Sequence, residues 1–254
     1  GKKSASILTS MGCPFNCAFC NSIMFKKVRF RSPEHVAKEI NTLYYHHNIS
    51  NFRMQDDLFT MKVNRIARIF EFTPKINYRC FSRADTLTKP VCDLLRKTGC
   101  MHVSIGVESG SQEILKNMNK GINQRDIKKG IKNAKAAGLQ VRIYIIVGFP
   151  GETNKTIEES IRFIRRLDFD EFAVYPLIPY PGTDLFNNAE KYGITNIDYA
   201  YDKYIQIGKN RKAGFTVRTK DFDEGQVRIW RQRMIDDLEC NLNKSWSLHK
   251  SKCR

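Results

Sequence analysis

Apolar and polar residues form two periodic patterns along the chain, one typical of strands and one typical of helices. Segments with the first pattern alternate with segments with the second. Short apolar runs rich in β-branched residues predict strands, and segments with an apolar residue every three or four positions predict amphipathic helices. The predicted strands are 4–10, 51–55, 75–81, 102–107, 141–147 and 171–175. The predicted helices are 33–46, 63–72, 89–97, 124–137 and 153–167.

Several of these helices are bounded by residues that start or stop a helix. Ser32 suits the N-cap and Pro33 the first helical position, while Gly99 and Gly138 suit helix ends. Strands that alternate with helices imply a parallel sheet with helices outside it. The pattern fits a doubly wound sheet or a barrel, and the six strands favour a partial (β/α)6 barrel of the TIM type.

The alternation ends after residue 175. A Pro- and Gly-containing segment, 176–182, predicts rigid irregular backbone, and an amphipathic helix is predicted over 224–243. Its apolar stripe consists of Val227, Trp230, Met234, Ile235 and Leu238. We therefore predict a barrel in residues 1–185 and a C-terminal helical extension in 186–254, whose helix packs on the barrel or caps it.

The loop after the first predicted strand holds Cys13, Cys17 and Cys20 in the spacing C-x3-C-x2-C. Three thiolates on a tight loop can bind three irons of a [4Fe–4S] cluster, which leaves the fourth iron open for a ligand. A zinc site is the alternative, but zinc would need a fourth nearby Cys or His, and the loop has none. The loop also follows a strand of a parallel fold, where active sites form. We therefore predict a cluster.

With Phe19 before its last cysteine, the motif resembles the signature of the radical S-adenosylmethionine (SAM) superfamily. The resemblance covers about residues 4–185, because further blocks match in order. They are 55–60 (QDDLFT), 83–85 (RAD), 106–110 (GVESG) and 147–153 (VGFPGET). These blocks resemble the branch that includes cobalamin-dependent radical SAM enzymes and tRNA methylthiotransferases. The family fold is a partial (β/α)6 barrel, in agreement with the strand count.

The resemblance implies that SAM chelates the open iron through its amino and carboxylate groups, with Phe19 beside it. Asp56 and Asp57, at the end of the second strand, are then candidates to accept from the SAM ammonium; the alternative is a helix cap. Glu108 ends the fourth strand, where the family binds the ribose hydroxyls, and the adjacent Ser109 is a further candidate to contact SAM. The alternative there is again a cap for the next helix.

A cation should meet the SAM carboxylate, and the candidates are Arg83, Lys120 and Arg142. Lys120 stands where relatives often have Arg, so it would give a point contact rather than a forked one. Each of the three is equally well explained as a surface or strand-end charge. Arg142 and Tyr144 share one face of the fifth strand and would point at SAM or substrate if that face is the lumen. By resemblance alone, the segment that starts at Tyr175 would contact adenine.

The chemistry implied by the resemblance is reductive cleavage of SAM to a 5′-deoxyadenosyl radical, which abstracts hydrogen from an unidentified substrate for methylation or rearrangement. An external one-electron donor such as flavodoxin or ferredoxin would reduce the cluster. Cobalamin would enter only with an upstream domain, so one alternative is a fragment of a cobalamin-dependent methyltransferase. Another is a non-catalytic iron–sulfur carrier or scaffold, in which Cys240 or Cys253 would supply a fourth ligand.

The amino-acid composition restricts the classes of molecule that this protein is expected to bind. Lys and Arg outnumber Asp and Glu by 43 to 26 in 254 residues, a net charge of +17. This charge suits an acidic or phosphorylated substrate or nucleic acid, but it is spread along the chain without a nucleic-acid motif, so a solvated Lys-rich surface is favoured over nucleic acid. The apolar runs are far shorter than the roughly 20 residues that span a bilayer, and we expect no membrane. The scattered remaining cysteines favour buried free thiols in a cytoplasmic protein.

Overall fold

The computed structural model describes residues 3–22, 27–200, 204 and 214–245. For residues 243–245 only the backbone is described. The strands are β1 (Ser4–Ile7), β2 (Ser10–Met11), β3 (Arg29–Phe30), β4 (Asn51–Met54), β5 (Asn77–Ser82), β6 (Cys100–Glu108), β7 (Gln140–Val147), β8 (Glu171–Pro176), β9 (Ile194–Ile197) and β10 (Val217–Thr219). The helices are α1 (Pro33–His47), α2 (Val63–Glu71), α3 (Lys89–Lys97), α4 (Gln112–Asn117), α5 (Gln124–Ala136), α6 (Asn154–Ile164), α7 (Asp184–Asn187) and α8 (Glu224–Ser245).

Six strands form one parallel sheet in the order β1-β4-β5-β6-β7-β8. These are the six predicted strands, so the predicted α/β class is confirmed. At α1 the side chain of Ser32 accepts from the amide of His35, and Pro33 is the first helical residue, as predicted. The first strand ends at Ile7 rather than at residue 10, because the chain turns there and Ser10–Met11 pairs antiparallel with Arg29–Phe30.

Helices cover one face of β5, and the residues on its other face are more exposed. Tyr78, Cys80 and Ser82 are buried, whereas the alternate residues Arg79 and Phe81 are exposed. The ring of Tyr78 stacks on Phe70 of α2 with the ring centroids 4.8 Å apart. The Tyr78 face therefore packs against helices, and Arg79 lies on the opposite face.

The chain forms two compact units. The first unit consists of residues 1–15, 22–106 and 125–143, and the second of residues 16–21, 107–124 and 144–254. Our predicted division at residue 185 stays a prediction. The first unit has a core of side chains that are 0–1% exposed, including Ile40, Ile66 and Ile69.

The core of the second unit gathers apolar residues from distant parts of the chain, among them Ala18, Ile114, Phe149, Leu177 and Leu185. Helix α8 packs against α6 and β8 in this unit. Four residues of its predicted apolar stripe are buried: Val227, Trp230, Met234 and Leu238. The fifth, Ile235, is partly exposed.

Within the described residues, none of the helices has the length and hydropathy needed to span a membrane.

Candidate functional site

In the first unit, one carboxylate holds both ends of the cysteine loop. Asp57 accepts from the backbone N–H of Gly12 at 2.8 Å through Oδ2 and from the hydroxyl of Ser22 at 2.6 Å through Oδ1. Gly12 directly precedes Cys13, and Ser22 stands two positions after Cys20. Asp57 thus spans the whole motif, although its side chain remains exposed.

The neighbouring Asp56 is buried and serves the same segment of chain. Its carboxylate accepts from the backbone N–H of Thr9 at 2.7 Å, from the Thr9 hydroxyl at 2.6 Å and from the Ser10 hydroxyl. Arg65 adds a bond to the Thr9 carbonyl oxygen at 2.6 Å. The N-cap of α2 is Lys62, so neither aspartate caps that helix. The capping alternative is wrong, and the contact of Asp56 and Asp57 with SAM stays a prediction.

Arg83 packs directly on the cysteine loop. Its guanidinium carbon lies 3.6 Å from the ring centroid of Phe15, which stands between Cys13 and Cys17. The guanidinium fork also donates to both carboxylate oxygens of Asp85, each at 3.1 Å. A stacked and forked arginine is tightly oriented, and a lysine could not make the forked pair with Asp85.

The three cysteines of the loop are free thiols. Cys17 is buried, whereas Cys13 and Cys20 are partly exposed. The amide of Cys20 donates to the carbonyl oxygen of Cys17 at 3.1 Å, which makes a tight turn between them. In the part of the chain that the structure describes, no three Cys, His, Asp or Glu side chains are already grouped as a metal site. The loop therefore offers a set of thiols rather than a closed cage.

Other cysteines are unsuited to bind metal. Cys80, Cys92 and Cys100 are buried and free, which confirms the predicted role of these three positions. Burial raises the pKa of the Cys92 thiol to about 12, so it stays protonated. Cys240, half-buried on α8, is disulfide-bonded, so the prediction of a free thiol is wrong at this position and Cys240 is not available as a fourth cluster ligand. Cys253 lies outside the described residues.

In the second unit, the middle of the cysteine loop is held by backbone bonds. The amide of Ala18 donates to the carbonyl oxygen of Met118 at 2.9 Å, and the carbonyl oxygen of Ala18 accepts from the amide of Leu185 at 2.9 Å. The side chain of Asn119 donates to the carbonyl oxygen of Asn16 at 2.8 Å. Residues far apart in sequence therefore fix the path of the loop around Cys17.

Two residues predicted to contact SAM form a buried ion pair with each other. The ammonium of Lys120 donates to Oε1 of Glu108 at 2.8 Å, and both side chains are almost fully buried. The same ammonium lies 5.9 Å from the ring centroid of Phe19. Removal of one partner of such a pair leaves a buried charge uncompensated, at a cost of about 3–5 kcal/mol. The structure thus brings together three of the predicted site residues.

The backbone at Glu108 is strained. Its φ is +64°, in a region that residues other than glycine rarely adopt. The amide of Ser109 donates to the carbonyl oxygen of Val107 at 2.9 Å, which closes a three-residue turn around Glu108. Strain of this kind costs about 1–3 kcal/mol and tends to occur where a side chain must be aimed. It sets the direction of the Glu108 carboxylate at the end of β6.

Ser109 links the loop after β6 to helix α6. Its hydroxyl lies 3.0 Å from the hydroxyl of Ser160 and accepts from the amide of Ser111 at 3.1 Å. Gly110 approaches the same helix so closely that a Cβ atom would lie 2.6 Å from the Cα of Ser160. Ser109 therefore has a structural role, and its contact with SAM stays a prediction.

The remaining predicted residues lie on β7 and β8. In the second unit the rings of Tyr144 and Tyr175 stack with centroids 6.1 Å apart and an interplanar angle of 19°. In the first unit Arg142 is half-buried, on the strand face opposite the fully buried Val141 and Ile143. The predicted alternation along β7 is confirmed.

Glu152 is a residue that the sequence reasoning passed over. It is buried, and its carboxylate accepts from the backbone N–H groups of Gly148 at 2.6 Å and Phe149 at 3.3 Å. Burial raises the pKa of Glu152 to about 8, although both hydrogen bonds act in the opposite direction. The sequence did contain a signal for this residue: Glu152 stands four positions after Gly148, the first residue after the predicted strand 141–147.

A groove of about 380 Å³ lies elsewhere, along the outer side of α1. Tyr45, His46 and Phe72 are among its lining residues. None of the predicted site residues lines it, so it has no part in the chemistry considered below.

Comparison with known proteins places this geometry in a family. The profile of the Radical SAM superfamily matches residues 7–164. An uncharacterised methyltransferase of Pyrococcus horikoshii is 36% identical over 189 residues, which are 72% of this chain and 41% of that protein. The bacteriochlorophyllide d C-12(1)-methyltransferase of Chlorobaculum tepidum is 27% identical over 242 residues, 90% of this chain and 52% of that protein. The chain thus spans about half the length of these relatives, or less.

A solved structure shows the same fold. The radical S-adenosylmethionine methyltransferase TsrM of Kitasatospora setae, with cobalamin and a [4Fe–4S] cluster bound, aligns with a TM-score of 0.68 at 20% identity. The alignment covers 78% of this chain and 39% of that one. This likeness confirms the predicted partial-barrel class. On the family match, the chain belongs to the radical SAM superfamily, whose enzymes use a [4Fe–4S] cluster and SAM.

Proposed function

We propose that this chain is the catalytic core of a radical SAM enzyme and that Cys13, Cys17 and Cys20 bind its [4Fe–4S] cluster. One observation carries the proposal: three free thiols in C-x3-C-x2-C stand on a loop whose two ends are held by Asp57. Thiolates are the ligands that such clusters require, and three of them leave one iron open for SAM.

When bound, the cluster supplies the electron that cleaves SAM to methionine and a 5′-deoxyadenosyl radical. The residues of this chain bind and orient. Asp56 and Asp57 hold the segment before Cys13, while Arg83 stacks on Phe15 inside the loop. These contacts fix the path of the loop, and any contact between the two aspartates and the SAM ammonium adds to that role.

Among the three candidate cations, Lys120 suits the SAM carboxylate best. Arg83 and Lys120 each have a carboxylate partner, Asp85 and Glu108. We choose Lys120 because its buried ammonium lies beside Phe19, next to Cys20, and its partner Glu108 is itself a predicted SAM contact. Glu108 then has its second carboxylate oxygen for a ribose hydroxyl, in the direction that its strained backbone sets. Arg142, Tyr144 and the segment from Tyr175 are assigned to the substrate or to adenine.

Methyl transfer is the outcome we favour, because the relatives named above are methyltransferases. The cobalamin in the Kitasatospora structure makes a cobalamin-dependent methyltransferase the second candidate, with this chain as its barrel. We further propose a cytoplasmic location, a flavodoxin- or ferredoxin-type electron donor, and a substrate that the present residues do not name.

The test is an anaerobic reconstitution with iron and sulfide, followed by dithionite, SAM and mass spectrometry of 5′-deoxyadenosine. We compare the unaltered chain with Cys17→Ala and with Cys92→Ala, which removes a buried thiol outside the loop. The unaltered chain and Cys92→Ala should hold about four irons and form 5′-deoxyadenosine, and Cys17→Ala should do neither.

Two results would overturn the proposal. If Cys17→Ala keeps both the cluster and the product, the cluster is bound elsewhere. If the unaltered chain binds the cluster but SAM neither perturbs the cluster signal nor gives 5′-deoxyadenosine, the carrier or scaffold alternative replaces SAM cleavage.

A further inference from the structure

The segment of sequence around the cysteine motif is basic and contains no acidic residue. Residues 1–33 include six Lys and Arg residues, and all 26 Asp and Glu residues of the chain lie after residue 33. Any carboxylate near this segment is therefore contributed by another part of the chain. A local excess of one sign of charge attracts partners of the opposite sign.

Part of this segment forms a two-stranded ribbon of β2 and β3 in the first unit. Met11 stands opposite Arg29 in the antiparallel pairing, and Ser10 stands opposite Phe30. Residues directly opposite one another project to the same side, and neighbours along a strand project to opposite sides. Met11 and Arg29 therefore share one side of the ribbon, and Ser10 and Phe30 share the other.

The Phe30 side of the ribbon packs against the start of α2. The ammonium of Lys62 lies 4.3 Å from the ring centroid of Phe30, and the guanidinium carbon of Arg65 lies 5.3 Å from it. Arg65 also donates to the carbonyl oxygens of Thr9 at 2.6 Å and Arg31 at 2.9 Å, which flank the two strands. These contacts fix the ribbon by one side.

The Met11 side of the ribbon is exposed beside the first cysteine of the motif. Met11 is 37% exposed, and Lys27 and Arg29 are exposed. Met11 stands two positions before Cys13, a separation of at most about 7 Å along the chain. Cys13 is itself partly exposed. We call Met11, Lys27 and Arg29 the ribbon surface.

Carboxylates from later segments of the chain bind groups next to the ribbon. Asp56 accepts from the backbone N–H of Thr9, and Glu39 forms a salt bridge with Arg31 at 2.6 Å. Asp57 accepts from the backbone N–H of Gly12, which is uncharged, so its own charge remains.

The cations of the ribbon surface are not neutralised in this way. Within the described residues, neither Lys27 nor Arg29 takes part in a salt bridge. Lys62 likewise contacts the ring of Phe30 rather than a carboxylate. The charge of Asp57 stands against three positive charges, so the surface beside Cys13 is positive.

We propose that the ribbon surface is the docking site of the one-electron donor and that this donor is an acidic carrier protein. The inference rests on the proposed function, because radical SAM enzymes need an external electron donor. An exposed apolar side chain with cations around it is complementary to a partner whose redox centre is surrounded by carboxylates. A carrier bound there lies next to Cys13. One electron then passes from the reduced carrier to the cluster, and no bond forms or breaks.

The test first measures binding of the oxidised carrier to the reconstituted full chain, without SAM and at low ionic strength, by isothermal titration calorimetry. The probes are a flavodoxin and a [2Fe–2S] ferredoxin. We compare the unaltered chain with Lys27→Gln/Arg29→Gln and with Lys129→Gln/Lys132→Gln, an equal change in charge at exposed positions on α5. A third variant, Lys27→Arg/Arg29→Lys, keeps both charges of the ribbon surface.

The second measurement is the rate of cluster reduction, followed by the loss of visible absorbance after mixing with the reduced carrier. Reduced methyl viologen is the control reductant. It is a small cation, so it needs no positive docking surface. Equal rates with methyl viologen show that the cluster and the fold are intact in every variant.

We expect Lys27→Gln/Arg29→Gln to weaken binding of at least one carrier by about fivefold or more, as the loss of two exposed charge pairs implies, and to slow reduction by that carrier equally. The other two variants should stay within about twofold of the unaltered chain, and the differences should disappear at high salt. All four proteins should react with methyl viologen at similar rates.

Equal binding by the two Gln variants, or no binding of either carrier by the unaltered chain, would overturn the proposal. Failure of the proposed function gives a different result. A chain that binds a carrier through the ribbon surface but gives neither a SAM-perturbed cluster signal nor 5′-deoxyadenosine would contradict SAM cleavage and still support the docking site.

Discussion

At the scale of single residues, Asp57 shows how one side chain can order a loop. It accepts two hydrogen bonds from positions on either side of the three cysteines. The carboxylate is exposed, so each bond contributes at the low end of the usual range of about 0.5–1.5 kcal/mol. Together they favour the ordered loop by about 1 kcal/mol, or about fivefold.

We therefore predict that Asp57→Ala releases iron from the reconstituted cluster to a chelator about fivefold faster. The rate is followed by the loss of visible absorbance. The control is Asp93→Ala, which removes an exposed carboxylate paired with Lys89 on α3. Equal rates for the two variants would mean that Asp57 does not hold the loop.

Glu152 makes stability depend on pH. Its pKa is about 8 in the folded protein and near 4.5 when solvated, with burial as the main cause. Between these values the folded state binds a proton that the unfolded state does not. The free energy of unfolding should therefore fall as pH rises from about 4.5 to about 8, with a limiting slope of about 1.4 kcal/mol per pH unit, and this contribution should be constant outside that range.

Glu152→Gln imitates the protonated carboxyl and should remove this part of the pH dependence. The measurement is urea unfolding of both proteins at intervals from pH 5 to pH 9. The difference between the two free energies isolates Glu152 from the other titrating groups. A difference that does not change with pH would show that Glu152 is ionised throughout.

At the scale of elements, the close packing of α5 requires a glycine at a position where helix propensity alone would favour alanine. Gly130 lies in the middle of α5 and is buried, and a Cβ atom there would lie 2.1 Å from the carbonyl oxygen of Ala84. From the same helix, Asn133 donates to the carbonyl oxygen of Leu87 at 2.8 Å. The helix and the segment after β5 are therefore too close to admit a methyl group.

Gly130→Ala should consequently destabilise the protein, although alanine is favoured over glycine in a helix by about 1 kcal/mol. We expect a loss of about 1–3 kcal/mol in the free energy of unfolding, the usual cost of overpacking. Lys129→Ala, at the adjacent exposed position, should be neutral or slightly stabilising. A gain in stability for Gly130→Ala would show that α5 can move away from Ala84.

At the scale of the whole molecule, the net charge of +17 has two components. Some of the lysines lie on helix surfaces, such as Lys128, Lys129 and Lys132 on α5, in agreement with the spread of charge along the sequence. Arg53 and Arg79 are different, because the parallel pairing of β4 and β5 puts them opposite each other. The amino-acid composition gives the net charge but not its distribution, because it carries no information about which residues are paired on adjacent strands.

The sequence by itself determined the family, the six strands and the spacing of the three cysteines that we predict to bind the cluster. Such features are local: a spacing such as C-x3-C-x2-C and an alternation of period two are written in consecutive residues. The strands β2, β3, β9 and β10 were not predicted, because they lie outside the regular strand–helix alternation and outside the six-stranded sheet.

Only the tertiary structure decided which residues meet. It joined Lys120 to Glu108, directed Asp57 to Gly12 and Ser22, and buried Glu152 under the turn at Gly148. It also put Arg53 beside Arg79, 26 positions apart in the chain. Such contacts depend on strand register and on the close packing of loops against helices, which are set by the burial of the whole core and not by any single stretch of sequence.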